Sequence, residues 1–303
     1  MSQKIKLWVG VGAYILAGTC AVASPSNAAE GVKPAASSEK TTQFIAQGGE
    51  NSEGDEGFQP YDPYSDQGGE GGEGGEGGEG GEGGEGGEGS NISSNADYMT
   101  NLRLMKGHLI AGLDLYMQGE NKMAQTHLEH PAKEILTSLR PMLEEKGLYR
   151  PVDAALNRLT DVAASGASER KVKDAYEEAM GVLTSAENAV PKSKRQSPEF
   201  VGKVISNLVS TAAAEYKIAL KEDTFTDIPE YQDGRGFVAA ARQLLYNNAQ
   251  EMVKKNPKTY TELSTMVGEI SAAWPTIMPP AQSVYSADEV TNMAKDIENL
   301  MMK

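Results

Sequence analysis

The sequence predicts an all-α protein, a helical bundle that follows a disordered acidic Gly/Glu linker. Apolar residues recur at helical spacing through residues 97–303, which indicates helices that each bury one face. Alternating apolar and polar patterns, which indicate strands, are almost absent from the same region. Glycine and proline divide the region into segments that suit separate helices joined by short loops.

Capping residues, glycines and prolines define eight predicted helices. Their approximate spans are 95–118, 121–146 with an interruption near Pro131, 151–164, 168–189, 198–221, 228–254, 257–273 and 286–302. Ser197 precedes Pro198, which gives a hydroxyl cap followed by a proline at the first helical position. Ser286 is followed three residues later by Glu289, the spacing of a capping box.

The order of predicted helix lengths (long, long, short and medium) occurs roughly twice along the region. Residues 97–303 therefore form either one helical domain or two tandem four-helix units, with halves near 97–190 and 197–303. The second possibility depends on helix lengths alone, because the side chains of the two halves share little identity.

Residues 1–29 have the pattern of a secretory signal peptide. Lys4 and Lys6 form a basic start, and an apolar run extends from Leu7 to about Ala23 before small residues that suit cleavage. An uncleaved membrane anchor has the same pattern and is the alternative. No later stretch reaches the length of a membrane span, so we expect a protein of the periplasm or a secreted protein, not inserted in the membrane after cleavage.

Residues 30–96 are predicted to form a disordered acidic linker. They contain few large aliphatic side chains, so they cannot bury enough apolar surface to offset the entropy lost on ordering. Seven Gly-Gly-Glu triplets occupy residues 68–88. The linker carries a net charge of −13, whereas residues 97–303 carry −4. A flexible tether is the preferred interpretation, and weak collection of cations is the alternative.

Charge, cysteine content and motifs exclude several functions. A net charge of −15 gives no basic surface for nucleic acid, so no nucleic-acid partner is expected. The one cysteine, Cys20, lies in the predicted signal peptide, so thiolate metal sites and disulfides are not expected in the mature chain. The sequence contains none of the phosphate-binding or catalytic motifs that we sought, and no enzymatic activity is predicted.

All three histidines of the chain lie in the first predicted helical hairpin. His108 follows Met105 and precedes Leu115 on an apolar stripe, so it is predicted to face the interior. Gly107 and Gly112 flank this histidine. Because glycine costs about 1 kcal/mol relative to alanine in a helix, the pair indicates that another backbone, a ligand or a cofactor needs the space.

The other two histidines lie in one short segment around Pro131. In a continuous helix His127, His130 and Glu134 would share a face, a spacing that suits iron, zinc or copper. The residue before a proline favours an extended backbone, so we expect one helix to end near Glu129 and another to begin at Pro131. Both histidines can still converge on the histidine of the first helix across the antiparallel pair.

The second half of the region offers carboxylates in place of histidines. Glu215 lies on the apolar stripe of the fifth helix, where a lone carboxylate is costly unless it is paired or binds a metal. Asp233 opens the sixth helix, one turn before Phe237. The alternatives are that Glu215 pairs with Arg235 or Arg242, and that Asp233 stabilises a helix N-terminus.

These observations predict a metal site with iron as the preferred ion, copper second and zinc as a further alternative. The candidate ligands are His108, His127, His130, Glu134, Glu215 and Asp233. Met105 precedes His108 by three residues and Met123 precedes His127 by four, and thioether with imidazole suits Cu(I). Methionines are also common core-filling residues. Haem is the alternative cofactor, with His108 as its axial ligand beside the two glycines.

The predicted architecture and export, with the segments around His108 and His130, resemble the periplasmic helical proteins of iron uptake, including the imelysin-like group. The resemblance implies a pair of fused four-helix bundles and a His-x-x-Glu metal motif. This chain departs from that motif, because Ala111 stands three residues after His108 and Lys133 three after His130. The next acid, Glu134, is one position too late, so the ligand positions of the group do not transfer.

A second stretch is similar to extracytoplasmic helical segments that accompany bacterial iron permeases. It contains Glu230-Tyr231-Gln232-Asp233 through Phe237, with the later Trp274-Pro275 and Pro279-Pro280. This similarity implies a membrane metal transporter, or another envelope protein, as partner. The sequence therefore predicts an exported metal-binding accessory of iron or copper uptake. A haem-binding bundle and a non-catalytic tethered interaction or scaffold module are the alternatives.

Overall fold

A computed structural model describes residues 92–302, and helices account for about 80% of them. The predicted all-α class is confirmed. The predicted signal peptide (1–29) and nearly all of the predicted acidic linker (30–91) lie outside the described residues.

Ten α-helices and one π-helical turn occur in the described residues. They are α1 (Asn95–Met117), α2 (Asn121–His130), the π-helical turn (Pro131–Ile135), α3 (Leu136–Glu145), α4 (Tyr149–Ala164), α5 (Glu169–Asn188), α6 (Lys192–Arg195), α7 (Pro198–Ala219), α8 (Ile228–Lys255), α9 (Pro257–Ser271) and α10 (Ala287–Met301). Between α7 and α8, β1 (Leu220–Lys221) pairs antiparallel with β2 (Thr224–Phe225). Within the described part of the chain, no helix has the length and apolar character needed to cross a membrane.

Local sequence explains where several helices begin. The Ser197 side chain accepts a hydrogen bond from the Phe200 backbone N–H, which caps α7 as predicted. Ser286 and Glu289 form the predicted capping box of α10. Gly119 adopts a φ of 82° in the tight connection between α1 and α2, a conformation that glycine adopts without strain. This connection makes α1 and α2 neighbours.

Helix contacts arrange the described residues into two groups of helices. In the first group α1 packs on α2 and α5, and α4 packs on the same two helices. In the second group α7 packs on α8 and α10, and α9 packs on the same two helices. The groups meet where α1 packs along α7 and α8, and one apolar core extends through both. A domain boundary near Pro191 stays a prediction.

The α1 and α8 backbones touch where two glycines face each other. A Cβ atom at Gly107 would lie 2.6 Å from Phe237 Cδ1, and one at Gly236 would lie 2.3 Å from the Gly107 carbonyl oxygen. At Gly112, a Cβ atom would lie 2.6 Å from the Leu128 side chain. Neighbouring helices therefore fill the space beside both glycines of α1.

The chain does not break at Pro131, and the prediction of an extended His130 is wrong. His130 has helical angles (φ −51°, ψ −46°), and the π-helical turn carries the chain directly into α3. The Leu136 N–H donates to the Pro131 carbonyl oxygen, the five-residue spacing of a π-turn. Such a wider turn accommodates the proline ring and its missing N–H. His127, His130 and Glu134 therefore belong to one continuous helical segment.

Candidate metal centre

Three histidines converge on one buried carboxylate. His108 of α1 and His127 of α2 place their Nδ1 atoms 2.6 and 2.8 Å from Asp233 Oδ1 of α8. Nδ1 of His130, the last residue of α2, lies 3.5 Å from Asp233 Oδ2. Each of these four residues offers one ligand atom, and the four atoms lie within 4.8 Å of one another. The structure thus brings together four of the six candidate ligands.

The cluster is largely shielded from solvent. His108 and His127 are fully buried, and Asp233 is 2% exposed. The ring of Phe237 packs edge-on against His108, with 4.9 Å between ring centroids. The His130 side chain is 20% exposed, so the cluster meets solvent at this residue.

Both groups of helices contribute to the cluster. His108 follows Gly107 at the close crossing of α1 and α8, and Asp233 lies three residues before Gly236 on the other side of that crossing. His127 and His130 are three residues apart on α2, which packs against α1. The four side chains therefore meet only where the two groups are packed together.

Burial and neighbouring groups shift the pKa values of Asp233 and His130 in opposite directions. Burial alone would raise the pKa of Asp233, but the charge of His108, the hydrogen bonds of His108 and His127 and the nearby His130 hold it well below the ordinary value. Burial alone would lower the pKa of His130, but the hydrogen bond and charge of Asp233 raise it above the ordinary value. The surrounding imidazoles therefore favour the ionised form of Asp233.

His127 faces a hydrogen-bond acceptor at each ring nitrogen. Its Nδ1 lies 2.8 Å from Asp233 Oδ1, and its Nε2 lies 2.8 Å from Gln232 Oε1. A neutral imidazole carries one N–H and can satisfy one of these acceptors. One ring proton therefore cannot serve both acceptors, and a cation held by Nδ1 and the carboxylate would satisfy the contact that the proton does not.

Two methionine sulfurs orient the amide of Gln232. The amide Nε2 lies 3.5 Å from Met278 Sδ and 3.8 Å from Met123 Sδ. A thioether accepts hydrogen bonds weakly and donates none, so the amide nitrogen faces the sulfurs and the amide oxygen faces His127. The Met123 sulfur contacts Gln232, which differs from the predicted pairing of Met123 with His127 as copper ligands.

Gln232 and Met278 are parts of this site that the sequence pattern did not predict. The position of Gln232 beside Asp233, in the stretch similar to iron-permease segments, was the available signal. Met278 gave no signal, because it lies in the loop between α9 and α10, far along the chain from every histidine.

The donor set fits a transition-metal ion. Imidazole nitrogens and a carboxylate oxygen bind zinc, iron and copper. Bonds of about 2.0–2.2 Å to one ion place neighbouring donor atoms roughly 3 Å apart. The distances of 2.6 and 2.8 Å from His108 and His127 to Asp233 are shorter and correspond to hydrogen bonds. An ion bound by all four residues would therefore replace the bridging protons, lengthen these two contacts and draw together the more distant of the four donor atoms, which lie up to 4.8 Å apart.

Two candidate ligands lie outside this group of four. Glu134 is 42% exposed, and its Oε1 lies 3.8 Å from His130 Nε2, the ring nitrogen opposite to the one that faces Asp233. In this arrangement Glu134 therefore approaches His130 on the side of the ring away from Asp233. Glu215 is buried on α7 and is not one of the four converging residues. Arg235, one of the two arginines predicted as partners of Glu215, forms an ion pair with Asp114 at 2.7 Å.

The glycines beside His108 do not provide space for haem. The backbone of α8 fills the space at Gly107, and Leu128 fills the space at Gly112. The close approach of another backbone, and not a ligand or a cofactor, therefore accounts for the glycine at position 107. The haem alternative therefore loses the feature on which it depended.

Residues 191–303 match the family model of the iron permease-associated 4-helix bundle domain. The match spans less than half of the chain; it includes Gln232 and Asp233, whereas the three histidines precede it. The comparisons with curated proteins and with solved structures gave no match. The matched region is thus similar to a helical domain associated with iron permeases, which agrees with the second resemblance and does not support the imelysin-like group specifically.

Proposed function

We propose that this protein is an exported metal-binding accessory of iron uptake, and that His108, His127, His130 and Asp233 bind the ion. The observation that carries the proposal is the convergence of three imidazoles on the buried Asp233 carboxylate, with one imidazole facing acceptors at both ring nitrogens. A buried charge is costly unless it is paired or coordinates a metal. A divalent cation bound to the three Nδ1 atoms and the carboxylate compensates that charge.

Iron is the ion that we propose first, because residues 191–303 match a domain associated with iron permeases. The donor set also suits Zn(II) and Cu(II), and general affinity rises from Fe(II) to Cu(II), with Zn(II) also above Fe(II). Selectivity for iron therefore depends on geometry and on the ions available where the protein works. Cu(I) is less suited, since the Met123 sulfur contacts Gln232.

A location outside the cytoplasm and a transporter partner belong to the same proposal. The signal-peptide pattern of residues 1–29 supports export. The family match supports a membrane iron transporter as the partner.

Elemental analysis of the full, untagged chain tests metal binding. The chain is incubated with Fe²⁺ in the absence of oxygen, and separately with Cu²⁺ or Zn²⁺, and is then dialysed. We expect about one ion per chain in the unmodified protein and less than about a tenth of that in Asp233→Asn, which keeps the size of the side chain and removes its charge. Asp114→Asn is the matched control, because Asp114 pairs with Arg235 at the same α1–α8 junction but lies outside the cluster.

Two outcomes contradict the proposal in different ways. Equal metal content in the unmodified chain and in Asp233→Asn would remove Asp233 from the coordination sphere and leave the ion with the three histidines or with another part of the chain, such as the acidic repeat. A chain that retains no metal, and whose melting temperature no added ion changes, would leave the tethered interaction or scaffold module as the function.

A further inference from the structure

We propose that Gln232 is a positioning residue of this site. Its amide oxygen keeps the proton of His127 on Nε2, so that the lone pair of His127 Nδ1 points toward the ion. The inference rests on the metal site proposed above. It adds a role for a residue that contributes no donor atom to the ion.

The geometry holds the His127 ring from both sides. Gln232 Oε1 accepts from Nε2 at 2.8 Å, and Asp233 Oδ1 lies 2.8 Å from Nδ1. Gln232 and Asp233 are buried and adjacent in α8, so one turn of this helix contacts both nitrogens of the His127 ring. Which imidazole nitrogen binds a metal is set by the hydrogen bond that the other nitrogen makes. The amide oxygen of Gln232 therefore assigns Nδ1 of His127 to the ion.

The two methionines make this assignment specific. A reversed amide would present its NH₂ group to His127 Nε2, which would leave the ring proton on Nδ1, where the ion binds. In that orientation the amide oxygen would face the sulfurs of Met123 and Met278, which cannot donate a hydrogen bond. Because the observed orientation gives each amide N–H a sulfur acceptor, the methionines favour the tautomer that leaves Nδ1 available.

Two substitutions at position 232 separate this role from simple packing. Gln232→Leu has similar bulk and no acceptor, whereas Gln232→Glu keeps an acceptor oxygen for Nε2. Zn²⁺ affinity of the full chain is measured by competition with a chromophoric chelator, since a site of this kind that holds Fe²⁺ binds Zn²⁺ at least as tightly. We expect Gln232→Leu to bind Zn²⁺ about 10- to 100-fold more weakly, and Gln232→Glu, whose carboxylate is a stronger acceptor for Nε2, to bind Zn²⁺ at least as tightly as the unmodified chain, at a cost in stability because an oxygen then faces the two sulfurs.

A measurement on the unmodified full chain gives the same information without any variant. Side-chain ¹⁵N NMR of the zinc-loaded protein should show His127 protonated at Nε2 and bound to zinc through Nδ1. Zinc bound through Nε2, or equal zinc affinities for Gln232→Leu and the unmodified chain, would overturn the role of Gln232 and leave the metal site intact. An unmodified chain that does not bind zinc would overturn the metal site and the role of Gln232 together.

Discussion

The two nitrogens of an imidazole point in different directions, and this geometry separates ligands from supporting residues around the cluster. Nδ1 of each histidine faces Asp233. Nε2 of His127 faces Gln232, and Nε2 of His130 faces Glu134. A carbonyl or carboxylate on the second nitrogen is the usual support of a metal-binding histidine. We therefore assign Glu134 to the support of His130 in the proposed site.

This assignment predicts unequal effects of two neighbouring substitutions. His130→Ala removes a ligand and should weaken Zn²⁺ binding by at least about tenfold. Glu134→Gln keeps an acceptor oxygen for His130 Nε2 and should weaken binding by less than about threefold. Both side chains are partly exposed, at 20% and 42%, so neither change disrupts the core. A chelator competition titration of each full-length variant measures the two losses of Zn²⁺ affinity. A larger loss in Glu134→Gln than in His130→Ala would place the ion between His130 and Glu134, at the exposed side of the cluster.

At the scale of the elements, backbone contact sets the distance between α1 and α8. A Cβ atom at Gly236 would lie only 2.3 Å from the carbonyl oxygen of Gly107, so the two backbones leave no room for a side chain at this point. His108 and Asp233 flank this contact, and their side chains meet at 2.6 Å. Any residue that separates the two helices therefore also separates these two side chains.

Gly236→Ala should consequently reduce both stability and metal binding. Its methyl group would overlap the Gly107 carbonyl, and overpacking of this kind typically costs about 1–3 kcal/mol. Gly181→Ala on α5 is the control, because its methyl group would contact nothing within 4 Å and should stabilise the helix by about 1 kcal/mol. Urea unfolding midpoints and Zn²⁺ affinities of both variants test the prediction. Unchanged stability and affinity in Gly236→Ala would show that the close crossing is not needed.

The parts of the fold that depend on neighbouring residues were predictable. The starts of α7 and α10 follow from Ser197 and Ser286, whose capping partners lie three residues away. The helical His130 was not predictable from the pre-proline preference, because the π-helical turn relieves the steric conflict on which that preference depends. Helix positions thus followed from the local sequence, and the continuity through Pro131 did not.

The cluster was predictable only in part for a similar reason. The three histidines are close in sequence, which predicts a shared site, and Glu134 joins the prediction for the same reason. Asp233 is 125 residues from His108. Its residue type predicts a possible metal ligand, but the sequence does not show that it lies beside these histidines. The packing of α8 against α1 and α2 supplies that information.

At the scale of the whole molecule, the cluster joins two groups of helices. His108, His127 and His130 come from the first group, and Asp233 comes from the second. An ion bound to all four side chains is held by both groups at once. Separating the groups would expose part of the shared apolar core and break the ion's coordination.

Metal binding should therefore stabilise both groups together. An ion that binds the folded chain, at a concentration of a hundred times its Kd, adds about 2.7 kcal/mol to the free energy of unfolding. We expect Zn²⁺ to raise the urea midpoint of the unmodified full chain by the corresponding amount, and to leave Asp233→Asn unchanged. Hydrogen exchange should slow in α1, α2 and α8 together, since each supplies a ligand. Slower exchange confined to α1 and α2 would remove Asp233 from the coordination sphere and make the site a property of the first group alone.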